Sequence, residues 1–227
     1  MTIPIYKPMV GFYNKSNNTN QSLKEHGGIT LKHEERRQQT TRLLLDSIKE
    51  LIQEKGCHSV TMKDIMEKSG LSKGAIFHYV KSKDEIFAWA LQERLEETND
   101  HFMNAVEQGE KTLDGPLQKI IDSISVLEDA QDVTNKVLIY LLGKEDQPIV
   151  AETLNQYYER SVHLSKQWIM TGQLHGVISE SIDTDKTAEM FVLLTLGLRV
   201  RSSIPLASVS FNTQDYSSFM VNILKSR

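Results

Sequence analysis

The sequence lacks the features on which disulfide-stabilised and membrane-spanning proteins depend. Cys57 is the one cysteine among 227 residues, so no intrachain disulfide can form, and the cysteine usage gives no sign of secretion. The first ten residues contain Pro4 and Pro8 and lack the apolar run of a signal peptide, and no later segment approaches about 18 uninterrupted apolar residues. We therefore expect a cytoplasmic protein with no membrane partner.

The sequence motifs of common enzyme classes are absent too. The seven histidines include no His-Glu-x-x-His pair, and neither a Gly-x-Gly-x-x-Gly nor a phosphate-loop pattern occurs. Asp183-Thr184-Asp185 resembles a fragment of a calcium loop, but helix capping explains these residues better. We expect no enzyme, no metal site and no cofactor, and an all-helical enzyme is the alternative that the motifs support least.

Charge is distributed unevenly along the chain, whose net charge is −4. Residues 31–84 carry eleven Lys and Arg against eight Asp and Glu, whereas residues 85–227 carry twelve against twenty-one. Such asymmetry is typical of a small basic nucleic-acid-binding segment joined to an acidic body, although ordinary scatter of surface charge gives the same pattern.

The first thirty residues are polar and rich in asparagine, with NKSNNTNQS at residues 14–22. They show no periodicity, and this composition cannot bury enough apolar surface to order the chain. We expect residues 1–30 to form a flexible tail, which is either a dispensable extension or a weak contact with a nucleic-acid backbone.

From His33 onward the apolar residues follow a helical period. Leu44, Ile48, Leu51 and Ile52 recur on one face of a first helix, and Lys55-Gly56 provides a cationic last turn and a stop. Thr61-Met62-Lys63-Asp64 is a capping-box pattern that opens a second helix, which closes at Gly70. The pattern therefore predicts two helices joined by a few residues.

A third, short helix follows at once and a long fourth helix after it. Ser72 is placed to cap a helix that runs through Tyr79, and Ser82-Lys83-Asp84-Glu85 is another capping box, which opens a helix toward Gly109. The tight Ser69-Gly70-Leu71 turn between the second and third helices is typical of a helix-turn-helix spanning roughly Thr61 to Val80. Ile65, Leu71 and Ile76 are spaced to hold its two helices against the first.

The remaining sequence also reads as helices. Gly and Pro residues separate helical stretches near 114–129, 132–143, 148–175, 184–203 and 213–225. Strand signals are nearly absent, so the predicted fold class is all-α. Residues 188–198 are apolar around most of a helix, which fits either a subunit interface, with Gly197 allowing close approach, or a central core helix.

The outward face of the predicted third helix has the chemistry of a DNA-binding surface. The amino-terminal end of such a helix reaches deepest into the major groove, and its amide groups attract phosphate. We expect phosphate contacts from Lys73, Lys83 and Thr61, and a thymine-methyl contact from Ala75. The full set of candidate DNA-binding residues is Thr61, Ser72, Lys73, Gly74, Ala75, Phe77, His78, Tyr79 and Lys83.

The segment Gly70-Leu71-Ser72-Lys73-Gly74-Ala75-Ile76-Phe77-His78-Tyr79, followed by Lys81-Ser82-Lys83-Asp84-Glu85, resembles the amino-terminal signature of the tetracycline-repressor (TetR) family of transcriptional regulators. The first helix, Gly56 and Thr61 lie at matching spacings. The resemblance covers about 50 residues, from Arg37 to Phe87. It is fairly specific, because capped helices, a turn glycine, a Ser-Lys-Gly start and a trailing Lys-Ser-Lys must all coincide.

Three residues depart from the family pattern. Met66 replaces a small residue of the second helix, Phe77 a common tyrosine, and Val80 a common phenylalanine. Phe77 has no hydroxyl, so any phosphate hydrogen bond that relatives draw from a tyrosine there passes to Tyr79 or His78. The base preference of relatives therefore does not transfer.

The resemblance implies how the chain is organised. Residues 31–84 would be the helix-turn-helix DNA-binding domain and residues 85–227 a helical regulatory and dimerisation domain, whose last two helices pair with a second subunit and whose interior receives a small-molecule effector. The protein would be a homodimeric repressor that binds a palindromic double-stranded DNA operator and is released from it by the effector. A constitutive or architectural DNA-binding protein without ligand control is the alternative.

No motif identifies the effector. Large, adaptable apolar side chains in the second domain are candidates to line its pocket, although each also suits an ordinary core position. These candidates are Phe102, Met103, Tyr140, Tyr157, Trp168 and Met170.

Overall fold

The computed structural model describes residues 27–108, 114–206 and 208–225, with side chains from Glu35 onward. The regular structure of these residues is helical, which confirms the all-α prediction. The helices are α1 (Gly27–Ser59), α2 (Met62–Ser69), α3 (Lys73–Phe77), α4 (Lys83–Glu107), α5 (Asp114–Ile124), a 3-10 turn (Ser125–Glu128), α6 (Val133–Leu142), α7 (Pro148–Leu174), α8 (Thr184–Ser202) and α9 (Thr213–Lys225).

The predicted tail and first helix need revision at their common boundary. Residues 1–26 of the tail lie outside the described residues, whereas Gly27–Thr30 already belong to α1. At its other end α1 continues to Ser59, although Gly56 is non-helical, with φ 75° and ψ 159°. Gly56 therefore interrupts the helix, because glycine adopts a positive φ without strain, but a short helical turn follows it.

Contacts divide the described chain into two compact units, one up to Ala90 and one from Leu91 onward. The domain boundary that the sequence predicts after Asp84 stays a prediction. The first unit has a small core in which Leu44, Ile48 and Ile52 of α1 and Ile65 of α2 are fully buried. This apolar face of α1 matches the predicted helical period.

The core of the second unit surrounds α8, which lies against α6, α7, α9 and the 3-10 turn. Ala188, Phe191 and Leu198 of α8 are buried, and Tyr216 of α9 is 1% exposed and donates a hydrogen bond to the Phe191 carbonyl oxygen at 2.7 Å. Burial raises the pKa of Tyr216 to about 12.

The opposite face of α8 is apolar but exposed. Leu193 is 55% exposed and Val200 39%, with the exposed Gly197 between them. One face of α8 therefore forms the core, as one interpretation of residues 188–198 predicts, and the subunit interface stays a prediction for the exposed face.

The local geometry confirms one smaller prediction. Asp183 caps α8, because its Oδ1 accepts a hydrogen bond from the Lys186 amide at 3.1 Å, which confirms capping as the role of this residue. None of the helices in the described ranges is both long and apolar enough to span a bilayer.

Candidate nucleic-acid interface and internal cavity

The start of α2 is held by the capping box that the sequence predicts. The Thr61 amide and hydroxyl each donate to Asp64 Oδ2 at 2.7 Å, and the Asp64 amide donates to Thr61 Oγ1 at 3.2 Å. The Lys55 ammonium, 2.6 Å from the same Oδ2, together with these bonds, holds the pKa of Asp64 well below its usual range. The expected phosphate contact from Thr61 conflicts with this geometry, because its hydroxyl proton is already donated to Asp64.

The turn between α2 and α3 is fixed by Gly70 and Ser69. Gly70 adopts the left-handed conformation, with φ 70°, and its amide donates to the Met66 carbonyl oxygen at 3.0 Å. Ser69 Oγ donates to the Ile65 carbonyl oxygen at 2.6 Å and accepts from the Leu71 amide at 3.3 Å. These bonds set the direction in which the chain enters α3.

Helix α3 is shorter than the sequence predicts, since it ends at Phe77 instead of Tyr79. Ser72 caps it as predicted, with its Oγ accepting from the Ala75 amide at 3.2 Å. Ile76 is fully buried and anchors the helix, whereas Leu71 is only half-buried.

The outward face of α3 collects most of the predicted DNA-binding residues. Five of them are exposed and two are half-buried, and the Lys73 ammonium lies 5.7 Å from the centre of the Phe77 ring. The rings of His78 and Tyr79 lie 5.0 Å apart, edge to face. The exposed residues are Ser72, Lys73, Gly74, Phe77 and His78, and the half-buried ones are Ala75 and Tyr79.

The packing of the protein gives no reason for glycine at position 74. A Cβ built on Gly74 would meet no atom within 4 Å, and the residue has no positive φ. Glycine within a helix is less stable than alanine by roughly 0.5–1 kcal/mol. A bare backbone at this exposed position therefore suits the close approach of an external surface.

Lys83 makes bonds within the protein that the sequence did not predict. Its ammonium donates to the carbonyl oxygens of Val60 at 2.6 Å and Cys57 at 3.2 Å and lies 5.6 Å from the centre of the Phe87 ring. These carbonyls lie at the carboxyl end of α1, where unpaired oxygens and the helix dipole attract a cation. Lys83 thus joins α4 to α1, and its phosphate contact stays a prediction.

The capping box at the start of α4 forms only in part. Ser82 Oγ accepts from the Glu85 amide at 3.3 Å, but the Glu85 carboxylate accepts from the Lys81 amide at 3.1 Å instead of the Ser82 amide. The Lys81 side chain is exposed beside this bond. Lys81 was not among the predicted DNA-binding residues. Its place in the Lys-Ser-Lys motif, just after the buried Val80, could have identified it as a further exposed candidate.

Comparison with known proteins agrees with this geometry. Residues 44–89, which include α2, α3 and the start of α4, match the family described as "Bacterial regulatory proteins, tetR family". The chain is 25% identical over 161 residues to the HTH-type transcriptional regulator UidR of Escherichia coli K12. The matched residues make up 71% of this chain and 80% of UidR. The chain belongs to the TetR family of transcriptional regulators.

Solved TetR-type structures share the fold beyond the matched segment. Salmonella enterica GusR superposes with a TM-score of 0.58 at 22% identity, over 82% of this chain and 96% of that one. A transcriptional regulator from Saccharomonospora viridis, solved in complex with choline, gives 0.58 at 18% identity, over 83% and 96% of the two chains. At these identities the likeness concerns the TetR fold alone.

The second unit of this TetR-family chain contains an internal cavity of about 110 Å³. Apolar side chains of α4, α5, α7, α8 and α9 make up most of its wall. Three of the six predicted pocket residues line it, namely Phe102, Tyr157 and Trp168. The rings of Phe102 and Trp168 lie 5.6 Å apart, and Trp168 Nε1 donates to Asn99 Oδ1 at 3.0 Å.

The other three predicted pocket residues lie elsewhere. Met103 follows Phe102 by one position and Met170 follows Trp168 by two, so the helical period turns both away from the cavity, and they are 36% and 50% exposed. Tyr140 is buried outside the cavity wall, with the Lys144 ammonium 4.6 Å from the centre of its ring.

Sequence reasoning also missed Arg199, which lines the cavity and is 7% exposed. Its Nε and Nη1 atoms are buried without a hydrogen-bond partner. A basic residue in the last turn of α8 looks like ordinary helix-end charge in the sequence, which is why no pattern singled it out.

Proposed function

We propose that this TetR-family transcriptional regulator is a homodimeric repressor that binds a palindromic DNA operator and is released from it by a small molecule in the second-unit cavity. The observation that carries the proposal is the α3 face, where a lysine, a bare glycine and the His78 ring are exposed, and the Tyr79 ring is half-buried, around the buried Ile76. Lys73 and the amino end of α3 would contact phosphates, and His78 and Tyr79 would read base edges.

The salt dependence of operator binding tests the phosphate role. Replacing Lys73 by alanine should reduce the slope of log affinity against log salt concentration by about one unit, because one fewer counterion is released. Exposed Lys63 on α2, which is paired with Glu67, is the matched control and should leave the slope nearly unchanged. An unchanged slope in Lys73→Ala would place the DNA-binding face elsewhere.

Operator preference tests the base-reading role separately. His78→Ala or Tyr79→Ala should alter the ranking of operator variants that differ at single base pairs, since a lost base contact removes discrimination at one position. Equal weakening on every operator variant would make these residues positioning contacts with no part in sequence preference.

The exposed apolar face of α8 supports the homodimer. Leu193, Gly197, Val200 and Ile204 recur along one side of the helix and its end, and each of the three aliphatic side chains is 39–55% exposed. Two such faces related by a two-fold axis would be self-complementary, and Gly197 allows close helix approach because a Cβ there would meet nothing within the subunit. Phe219 of α9, 37% exposed, extends the apolar surface.

Sedimentation of a charged variant tests this interface. Leu193→Glu should give a folded monomer that binds a half-site weakly, because a charge would be buried at the centre of the apolar face. Leu174→Glu on α7, where the side chain is 84% exposed, is the matched control and should remain dimeric. A dimeric Leu193→Glu would rule out this surface.

Release by a small molecule draws its support from the cavity and from the continuity of α4. This helix begins at Lys83 in the first unit, and its residues Thr98 and Phe102 line the cavity of the second. A ligand that favours one position of α4 would shift the spacing of the two α3 helices away from that of the operator half-sites. The choline complex of the Saccharomonospora viridis regulator shows that a protein of this fold takes up a small molecule.

The alternative is a DNA-binding protein without ligand control. Filling the cavity separates the two possibilities. Ile120→Trp should lock one position of the cavity wall and change operator affinity in the absence of any added molecule, because Ile120 is 7% exposed and lines the cavity. Unchanged operator affinity in a folded variant would favour the constitutive protein.

A further inference from the structure

The wall of the cavity contains an unusual polar group for so apolar a space. Arg199 is 93% removed from solvent, and both Nε and Nη1 lack a partner. A buried charge without a partner is costly, and buried arginines are normally paired with a carboxylate or hydrogen-bonded to backbone oxygens. The described residues make no hydrogen bond to Nε or Nη1 that would offset this cost.

The carboxylate of Glu128, one of the acidic side chains next in the chain to a cavity residue, is committed to other groups. Glu128, which follows the cavity residue Leu127, forms an ion pair with Arg201 through Oε1 and accepts from the Thr213 amide through Oε2 at 2.8 Å. No aspartate or glutamate is among the described residues that line the cavity, whereas two arginines are, Arg94 and Arg199. Arg94 lies 3.9 Å from the carboxylate of Asp132, which leaves the positive charge of the described wall on Arg199.

Most of the hydroxyl groups in the wall are already donating to other protein atoms. Ser123, Ser161 and Thr98 donate to the carbonyl oxygens of Ile120, Tyr157 and Arg94, four or fewer residues earlier in the chain. The Tyr216 hydroxyl donates to the Phe191 carbonyl oxygen, so the Thr195 hydroxyl, 3.1 Å away, donates to Tyr216. Arg199 is thus the strongest donor in the wall with bonds still to make.

We infer that the cavity binds a small organic acid, with its carboxylate against Arg199 and a compact apolar body among the side chains of α4, α5 and α9. The guanidinium presents its N–H groups in a planar fork that matches a carboxylate. A cavity of about 150 Å³ takes up benzene, so 110 Å³ suits a body of similar or smaller size. This inference rests on the proposed function of the cavity and adds the charge class of its ligand.

Calorimetric titration of the full-length protein with matched probes tests the charge class. Benzoate and isovalerate carry the carboxylate, benzamide and isovaleramide are their neutral counterparts, and benzylamine is cationic. We expect an acid to bind at least tenfold more tightly than its amide and to lower operator affinity. Equal binding of acid and amide would overturn the inference.

Substitution of Arg199 tests the residue itself. Arg199→Met should weaken binding of the acid roughly 10- to 100-fold, the value of a hydrogen bond to a charged group, and leave binding of the amide unchanged. Its melting temperature without ligand should equal or exceed that of the wild type, because an unpartnered buried charge has been removed. A lower melting temperature would mean that Arg199 stabilises the fold and does not await a ligand, which would overturn the inference.

Two controls keep the outcome clear. Lys186→Met changes the net charge equally on the same helix, at a side chain 87% exposed, and should bind the acid normally. Arg199→Lys keeps the charge without the planar fork and should recover part of the affinity for the acid that Arg199→Met loses.

Failure of this inference can be told apart from failure of the proposed function. If an amide or the amine binds and releases operator while the acids do not bind, the cavity is regulatory and the anionic class is wrong. If no probe of any class binds or releases operator, both are wrong.

Discussion

The two units of the chain pair many of their charged side chains internally, but they differ in where an unpaired cation lies. In the first unit, Lys55, Asp64 and Lys83 are bonded to neighbouring helices or their ends, and the chemistry offered to a partner lies on the exposed α3 face. In the second unit, the side chain that is offered to a partner is Arg199, which is buried and unpartnered. The difference separates a surface suited to a large, charged partner from an interior suited to a small one.

Truncation of Ile76, the buried residue that anchors α3, is expected to have the largest effect on stability. Ile76→Ala should lower the free energy of unfolding by about 2–5 kcal/mol, because it empties a fully buried site, and should abolish operator binding. Chemical denaturation followed by circular dichroism measures the change. Leu43→Ala on α1, at a side chain 48% exposed, is the matched control and should change stability by less than about 0.5 kcal/mol.

A pair of lysines two positions apart separates structural from DNA-contacting charge. Lys83→Met should cost about 1–3 kcal/mol of stability, because the Val60 and Cys57 carbonyl oxygens lose their donor, while the salt slope of operator binding stays the same. Lys81→Met should leave stability nearly unchanged and reduce that slope. The reverse pattern would restore Lys83 as the phosphate contact.

The two lysines also show how far sequence reasoning reached. The caps at Thr61, Gly70 and Ser72 were predicted because each depends on residues within four positions. The structural bonds of Lys83 were not predicted, because its partners lie 23 and 26 residues earlier, at the end of α1. Distances of that kind are set by helix packing, which no local pattern contains.

The cavity was harder to predict than the helix-turn-helix for the same reason. Its wall draws residues from Arg94 to Leu224, so membership depends on how the helices of the second unit pack. Phe102, Tyr157 and Trp168 line the cavity because large aromatic side chains favour such interiors, whereas Met103 and Met170 lie on helix faces that point away from it. Arg199 was missed because its burial is visible only in the folded chain.

A single methyl group tests the surface character of the first unit. Gly74→Ala should raise the free energy of unfolding by roughly 0.5–1 kcal/mol, because the helix gains a better former and the added Cβ meets nothing. The same change should weaken operator binding if a DNA backbone approaches this residue. Raised stability with unchanged affinity would remove Gly74 from the interface.

The smallest effect is expected from the pH dependence of the α2 cap. Lys55 and Thr61 hold the pKa of Asp64 below its usual value of 3.8, so the carboxylate stabilises the fold above that pH, and the contribution is lost as the pH falls further. Asp64→Asn should therefore be less stable than the wild type at neutral pH, and the difference should shrink in acid. A constant difference across this range would mean that the charge of Asp64 contributes nothing.

The central claim is that the exposed face of α3 binds a two-fold symmetric DNA site. Hydroxyl-radical footprinting of the full-length protein on genomic fragments that it selects tests this most directly. The account predicts two protected half-sites, related by a two-fold axis and centred about one helical turn or a multiple apart, and loss of both in the double variant Lys73→Ala, His78→Ala. A single asymmetric protected stretch, or a footprint unchanged in the double variant, would contradict it.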